Sequence, residues 1–264
     1  MSDYESVIEA ESARFLDAVM AADPAAPVPT CGDWTASDLL WHLTDVHAYW
    51  AGILASGAVT DEESEQVEAA KPERPADRAA TAELFREQTS RLLAELARHA
   101  DDEEPAYFWL DTARRVGSTR RMQAHEATMH RVDAELAAGR GSVSIDPELA
   151  LDGIRHGVEV MWAWWGTLPG FVFVPEQGVV ELVADDLGRG VLAQPGRWQG
   201  VGQSGTSYDE PGAVLVSGAE PSATVRGSAE QLYRWLWGRG GQPTLAGSDA
   251  TLAAFLAARD QGMQ

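Results

Sequence analysis

The segment Arg120-Arg121-Met122-Gln123-Ala124-His125-Glu126-Ala127-Thr128-Met129-His130-Arg131-Val132-Asp133 limits this chain more than any other. It reads as the middle of a helix from about Ser118 to Ala138, stopped near Gly139 and Gly141, because glycine accepts the left-handed conformation that ends helices. On a helix, residues four apart share a face, so Glu126 and His130 point at the same spot. His125 and His130 are five apart and fall on different faces. The spacing is therefore not that of the zinc-protease pattern H-E-x-x-H, and only one of the two histidines joins Glu126. Upstream, Asp38-Leu39-Leu40-Trp41-His42-Leu43 offers a second helix whose His42 would complete a three-ligand site for a divalent metal, with a coordination position left for chemistry.

The rest of the first half also reads as helices. Ile8, Phe15, Leu16 and Val19, with the small Ser12 on the same face, keep helical spacing to about Ala22, and Pro24, Pro27 and Pro29 stop it. Thr35 with Asp38 resembles a capping box that opens the helix carrying His42, whose apolar stripe Leu39, Leu40, Leu43, Val46 and Trp50 runs to about Ala55. Gly57 to Arg78 is acidic and contains proline, which predicts an exposed linker. A third helix is expected from about Ala79 to His99, on Leu84, Leu92, Leu93 and Leu96, and a second linker from Asp101 to Gly117.

After an expected helix from about Pro147 to Trp165 the character changes. Phe171 to Val174, Val179 to Val183, Val214 to Val216 and Ala223 to Arg226 are short, rich in β-branched residues and separated by Gly and Pro, which predicts a small sheet. Ser228 opens an amphipathic helix through Trp237, and Asp249 opens a last one through Ala258. The expected fold class is α+β in two domains, 1–145 and 146–264, with the Pro147 helix assignable to either.

Charge and cysteine content narrow the function classes. The formal charge of -21, from 20 basic and 41 acidic residues, repels phosphate backbones and anionic lipid, so neither nucleic acid nor membrane is an expected partner. The most apolar stretch, Val158 to Phe173, is broken by Gly166, Pro169 and Gly170, short of the ~20 residues that cross a bilayer. The single cysteine, Cys31, leaves no internal disulfide and no zinc ribbon. With no charged start and apolar core of a signal peptide, a cytoplasmic location is expected.

Each candidate residue also has a plainer reading. A helical Glu/His pair is often a surface ion pair, and a histidine on a leucine stripe, as His42 is, is often a core residue. Asp133, three residues past His130, either orients a ligating imidazole from behind or pairs with an arginine of its own helix, where Arg131 is its neighbour. Cys31 shows no partner base and is not expected to be a nucleophile. His47 and His125 read as structural or rim residues, and Trp162, Trp164 and Trp165 as core or interdomain packing.

Three stretches together resemble the mycothiol-dependent maleylpyruvate isomerase family: Val28-Pro29-Thr30-Cys31-Gly32-Asp33-Trp34-Thr35, Asp38-Leu39-Leu40-Trp41-His42-Leu43, and His125-Glu126-Ala127-Thr128-Met129-His130-Arg131-Val132-Asp133-Ala134-Glu135. Ala223-Thr224-Val225-Arg226-Gly227-Ser228-Ala229, followed by Leu232-Tyr233-Arg234-Trp235-Leu236-Trp237-Gly238-Arg239, is similar to that family's second domain. The resemblance implies an N-terminal DinB-like four-helix bundle that binds one divalent metal through His42, Glu126 and His130, with a smaller C-terminal α+β domain packed beside the site. The imidazole and carboxylate donors suit zinc, with nickel as second choice, and the resemblance implies mycothiol as the thiol cosubstrate, activated as a thiolate for addition to a small electrophile. Whether the net reaction is isomerisation or thiol transfer stays open. It further implies that Arg239 holds a substrate carboxylate, against the plainer reading of an arginine complementing a helix C-terminus. The expected partners are a small-molecule electrophile and a low-molecular-weight thiol, in a monomer or homodimer. Two rivals remain: a hydrolase using the same metal with water as nucleophile, and a non-catalytic small-ligand binding protein in which the metal ties the bundle together.

Overall fold

A computed structural model describes residues 3–103 and 107–263. The chain divides into two compact units, Met1–Val143 and Ser144–Gln264. In the first, α1 (Tyr4–Ala21), α2 (Ala36–Ser56), α3 (Asp61–Ala69), α4 (Arg78–Leu96) and α5 (Val116–Ala137) follow in order. The starts of α1 to α4 are fixed by side chains that satisfy otherwise unpaired amides, whereas α5 begins at Arg115 without one. Asp3 accepts from the Ser6 amide, Asp77 accepts from the Ala80 amide, and the expected Thr35/Asp38 capping box is present. α2 ends at Gly57, which takes a φ of 69°.

Four of these helices form a bundle: α1 packs on α5, α2 packs on α4, and α2–α5 and α1–α4 contacts close it. One part of its core joins Phe15, Leu16 and Val19 of α1 to Leu39, Leu40 and Leu43 of α2 and to Phe85 of α4. The rings of Phe15 and Phe85 meet at 5.2 Å between centroids. α5 departs from the usual amphipathic pattern, since Gln123, His125, Thr128, His130, Arg131 and Asp133 are all buried on it. Burying such polar groups costs free energy unless they are paired: Thr128 donates to the Ala124 carbonyl, Arg131 pairs with Glu11, and the pairing of His130 with Asp133 belongs to the site described below.

Both expected linkers hold more structure than their composition suggests. Within 57–78 lies α3, opened by a second capping box, Thr60 with Glu63, and stabilised by Asp61, Glu62 and Glu63 in its first turn. It buries little beyond Ser64, so no apolar stripe announces it. Among its described residues, the second linker contains a 3-10 turn at Asp111–Ala113 and a wholly buried Phe108, stacked on Trp109 at 4.2 Å and 5.7 Å from Trp50. Residues 104–106 of that linker lie outside the described residues.

In the second unit, α6 (Pro147–Glu159) begins at an Asp146 cap with proline in its first turn. The single helix expected to reach Trp165 is interrupted at Val160, continues as a 3-10 turn at Met161–Ala163, and ends in the short α7 (Trp164–Thr167). The three tryptophans therefore part company: Trp162 is buried against Phe255, Trp164 is half exposed, and Trp165 stacks with Phe171 and Tyr208.

The sheet comprises β1 (Val172–Pro175), β2 (Val180–Ala184), β3 (Arg189–Val201), β4 (Ser207–Leu215), β5 (Ala223–Gly227) and β6 (Thr244–Gly247). Its order is β1-β3-β2-β5-β6, with β4 also paired to β3. Only the β2–β5 pair among these is parallel. α8 (Ala229–Leu236), capped by Ser228 as expected, packs on β5 and α6, and α9 (Asp249–Arg259) packs on β4 and β3.

The sequence reading missed β3 and β6. β3 reads as turn-like because it contains Gly190, Pro195, Gly196 and Gly200. Pro195 sits where the neighbour of β3 changes from β2 to β1, and a Cβ on Gly196 or Gly200 would stand 2.5 Å from the ring of Phe173 or Phe171. These glycines are seats for aromatic rings rather than chain reversals. No helix among the described residues is long and apolar enough to cross a membrane.

Candidate metal centre

Because α2 lies against α5, residues far apart in sequence converge. One ligand atom each from His42, Glu126 and His130 lies within 4.8 Å of the others. His130 Nε2 is 3.2 Å from Glu126 Oε2, and the two imidazoles meet edge to face at 4.7 Å. A tetrahedral cation with bonds of about 2.1 Å to nitrogen and oxygen sets its donors about 3.4 Å apart, so the Glu126–His130 separation of 3.2 Å suits one. His130 is buried while His42 and Glu126 are half-buried, so the donor set is reached from the side of the latter two.

The protonation states follow from the same geometry. Burial, aided by the nearby positive charge of His130, lowers His42 to a pKa of about 4, which keeps it a neutral nitrogen donor at pH 7. Burial alone would discharge His130 too, but hydrogen bonds with Asp133, Cys31 and Glu126 outweigh it and raise that pKa well above the ordinary value. A proton on His130, held between two carboxylates, thus occupies the place suited to a cation. Two imidazoles and one carboxylate are the borderline donor set that zinc and nickel accept.

Asp133, for which two readings were open, lies behind His130. Its Oδ2 is 2.9 Å from His130 Nδ1, and its other oxygen accepts from Thr30 Oγ1 at 2.5 Å. Cys31 Sγ donates to Oδ2 at 3.4 Å, and Cys31, His130 and Asp133 form a second donor group of similar compactness. Trp34 lies beside the centre with its ring 4.6 Å from that of His42. Residue-by-residue reading did not reach Thr30 or Trp34, because a turn has no periodicity to betray which way its side chains point.

The remaining histidines of α2 and α5 stand apart from the donors. His125 is wholly buried, edge-on to Tyr4 at 6.4 Å. His47 stacks on Phe85, and its Nδ1 is 2.9 Å from Thr89 Oγ1. Since that hydroxyl donates to the Phe85 carbonyl, the imidazole is the donor in the pair. Burial lowers His47 to a pKa of about 3 and keeps it neutral. Arg239 belongs to the second unit, just past α8, where Gly238 turns with a φ of 74° and Arg239 Nη1 donates to the Trp237 carbonyl at 2.6 Å. A pocket of about 530 Å³ between α2 and α3, lined in part by Gly52, Val67, Lys71 and Arg91, includes none of the donor residues.

Known proteins place the chain independently of this geometry. Residues 7–135 match the family model described as the mycothiol maleylpyruvate isomerase N-terminal domain, and residues 148–257 match that of the MDMPI C-terminal domain. Crystal structures of the mycothiol-dependent maleylpyruvate isomerase and of a histidine-to-alanine variant of it each align with a TM-score of 0.58 at 14% identity, over 92% of this chain and 92% of theirs. At that identity the likeness speaks for the fold. No curated protein matches the chain. With both of its domains carried here in order, the chain belongs to the mycothiol-dependent maleylpyruvate isomerase family.

Proposed function

We propose that this protein is a divalent-metal-dependent enzyme that uses mycothiol to isomerise, or to transfer sulfur to, a small electrophile. The observation that carries the reading is the convergence of His42, Glu126 and His130 within 4.8 Å, in a chain with both domains of that family. Zinc is the first choice of ion and nickel the second. Once bound, the cation would hold a thiol sulfur and favour its thiolate, since a free thiol has a pKa of about 8.5 and a dication stabilises the anion.

The chain's own residues would hold this chemistry in place. His42 and His130 supply neutral nitrogens, Glu126 supplies negative charge, and Trp34 flanks His42. Cys31 is the only cysteine and is engaged with Asp133, so the nucleophilic sulfur has to come from outside. A thiolate that adds to a cis carbon–carbon double bond leaves a single bond free to rotate. Expulsion of the same thiolate then yields the trans isomer with the thiol unchanged, whereas retention of the adduct is thiol transfer. Arg239 is proposed to bind a substrate carboxylate through its paired guanidinium donors. Arg239→Lys should then raise KM for a carboxylate substrate more than for its ester, with the melting temperature unchanged. A cytoplasmic location, where small thiols stay reduced, suits the reaction.

The test is turnover of maleylpyruvate, the substrate named for the similar crystal structures, and of a panel of activated alkenes and quinones. Each is offered with mycothiol, with glutathione and with no thiol. Turnover with mycothiol alone is expected; equal turnover without thiol would instead favour hydrolysis by the same centre.

A further inference from the structure

Both imidazoles of the candidate centre adjoin one turn outside the His42, Glu126 and His130 set. Between α1 and α2 the chain closes on itself: the Val28 amide donates to the Trp34 carbonyl at 2.9 Å, Cys31 to Val28 at 3.1 Å, and Trp34 to Cys31 at 3.2 Å. From this closed turn Thr30 and Cys31 reach the two oxygens of Asp133 at 2.5 and 3.4 Å. The Asp133 side chain is 0% exposed, so no bulk water competes for it. His130 also lies against it, with Nδ1 at 2.9 Å from Oδ2. A carboxylate only accepts, so Nδ1 is the donating nitrogen and Nε2, the one facing Glu126, is left to ligate. Trp34 lies on the other imidazole, that of His42, at 4.6 Å.

We propose that the Thr30–Trp34 turn is a positioning element for the metal centre: through Asp133 it holds His130 with Nε2 turned to the cation, and through Trp34 it fixes the ring of His42. The inference rests on the metal-centre reading above. An imidazole rotates about its Cβ–Cγ bond, and a half-turn would carry Nε2 away from Glu126. A carboxylate clamped from behind by a hydroxyl and a thiol removes that freedom before the cation arrives, and loss of such a partner typically costs metal affinity about 10–100-fold.

The experiment is zinc and cobalt(II) affinity of the full chain by chelator competition, with melting of the metal-free protein to report folding. Asp133→Asn is expected to bind about 10–100-fold more weakly. Thr30→Val, which keeps the bulk but loses the hydroxyl, is expected to weaken binding, while Thr30→Ser, which keeps the hydroxyl, is expected to retain it. A role in packing alone predicts the reverse order, so the Thr30 pair decides the matter even if Asp133→Asn does not fold. Unchanged affinity in Asp133→Asn and Thr30→Val overturns the proposal and leaves the metal centre standing. So does a sulfur-to-cobalt absorption band in the wild type that vanishes in Cys31→Ala, which would make Cys31 a ligand. Failure of the wild type to bind either ion would remove the metal centre and the positioning role together.

Discussion

Arg131, the residue after His130, is wholly buried and donates from Nε to Glu11 Oε2 at 2.6 Å, tying α5 to α1 beside the candidate centre. Its Nη1 also reaches Glu135 at 2.8 Å and the Val143 carbonyl at 2.7 Å. Removing Arg131 leaves Glu135 buried without its partner and Glu11 with only Arg14, at a cost of about 3–5 kcal/mol. Arg131→Met is therefore expected to lower stability by about that much in urea unfolding. A loss under about 1 kcal/mol would mean that the two carboxylates find water when the guanidinium is gone.

The ligand assignment predicts about one divalent ion per chain, because one three-donor set with an open position holds one cation. His42→Ala and His130→Ala should each emerge from purification nearly metal-free by elemental analysis, while His125→Ala, on the other face of α5, should keep the wild-type content. Wild-type content in both ligand variants would sink the assignment.

Acid should destabilise the metal-free protein well above the carboxylate range. His42 and His47 have folded pKa values lowered to about 4 and about 3, below the ordinary value of about 6.5. The unfolded chain thus gains protons that the fold refuses, so stability is fully present above about pH 6.5 and falls as pH drops toward 4. Each histidine contributes about 1.4 kcal/mol per pH unit over that window. His130 has the opposite sign: its raised folded pKa gives stability that is complete below about 6.5 and is lost only at higher pH, so it adds no slope in the acid window. Urea unfolding between pH 7 and 4.5 should show a shallower decline in His47→Leu than in the wild type, and parallel lines would contradict the buried neutral state of His47.

The helices of the bundle were legible because caps and apolar spacing act locally: Thr35 with Asp38 opens α2, and Gly139 follows α5 with a φ of 64°. The convergence of His42, Glu126 and His130 was legible because an i,i+4 pair is itself a local relation, and because the flanking motifs resemble a family. What surrounds them was not. The contact of Thr30 with Asp133 spans 103 positions and depends on where α5 docks, which no window of sequence contains. β3 was hidden for a related reason: Gly196 and Gly200 look like turns until Phe173 and Phe171 are seen filling the space above them. α3 was hidden because acidic residues favour a helix N-terminus as readily as a solvated coil.

The proposed chemistry makes its sharpest prediction in the pH dependence of the rate. A thiol that must lose its proton unaided, with a pKa of about 8.5, gains close to tenfold in thiolate for each unit of pH below that value. A thiol whose sulfur is held by a cation is already ionised at pH 7, so its rate should change little between about pH 6.5 and 8. The flat profile has to break on the acid side, where protons compete for Glu126 and the two histidines and the cation is lost. Turnover measured across pH 6 to 9 at saturating mycothiol, with metal content checked at each point, separates the cases. A plateau through neutrality with parallel loss of rate and metal in acid is the expected result. A rate that climbs about tenfold per unit up to pH 8 while the metal stays bound would show that the cation does not ionise the thiol, and would return the centre to a purely structural role.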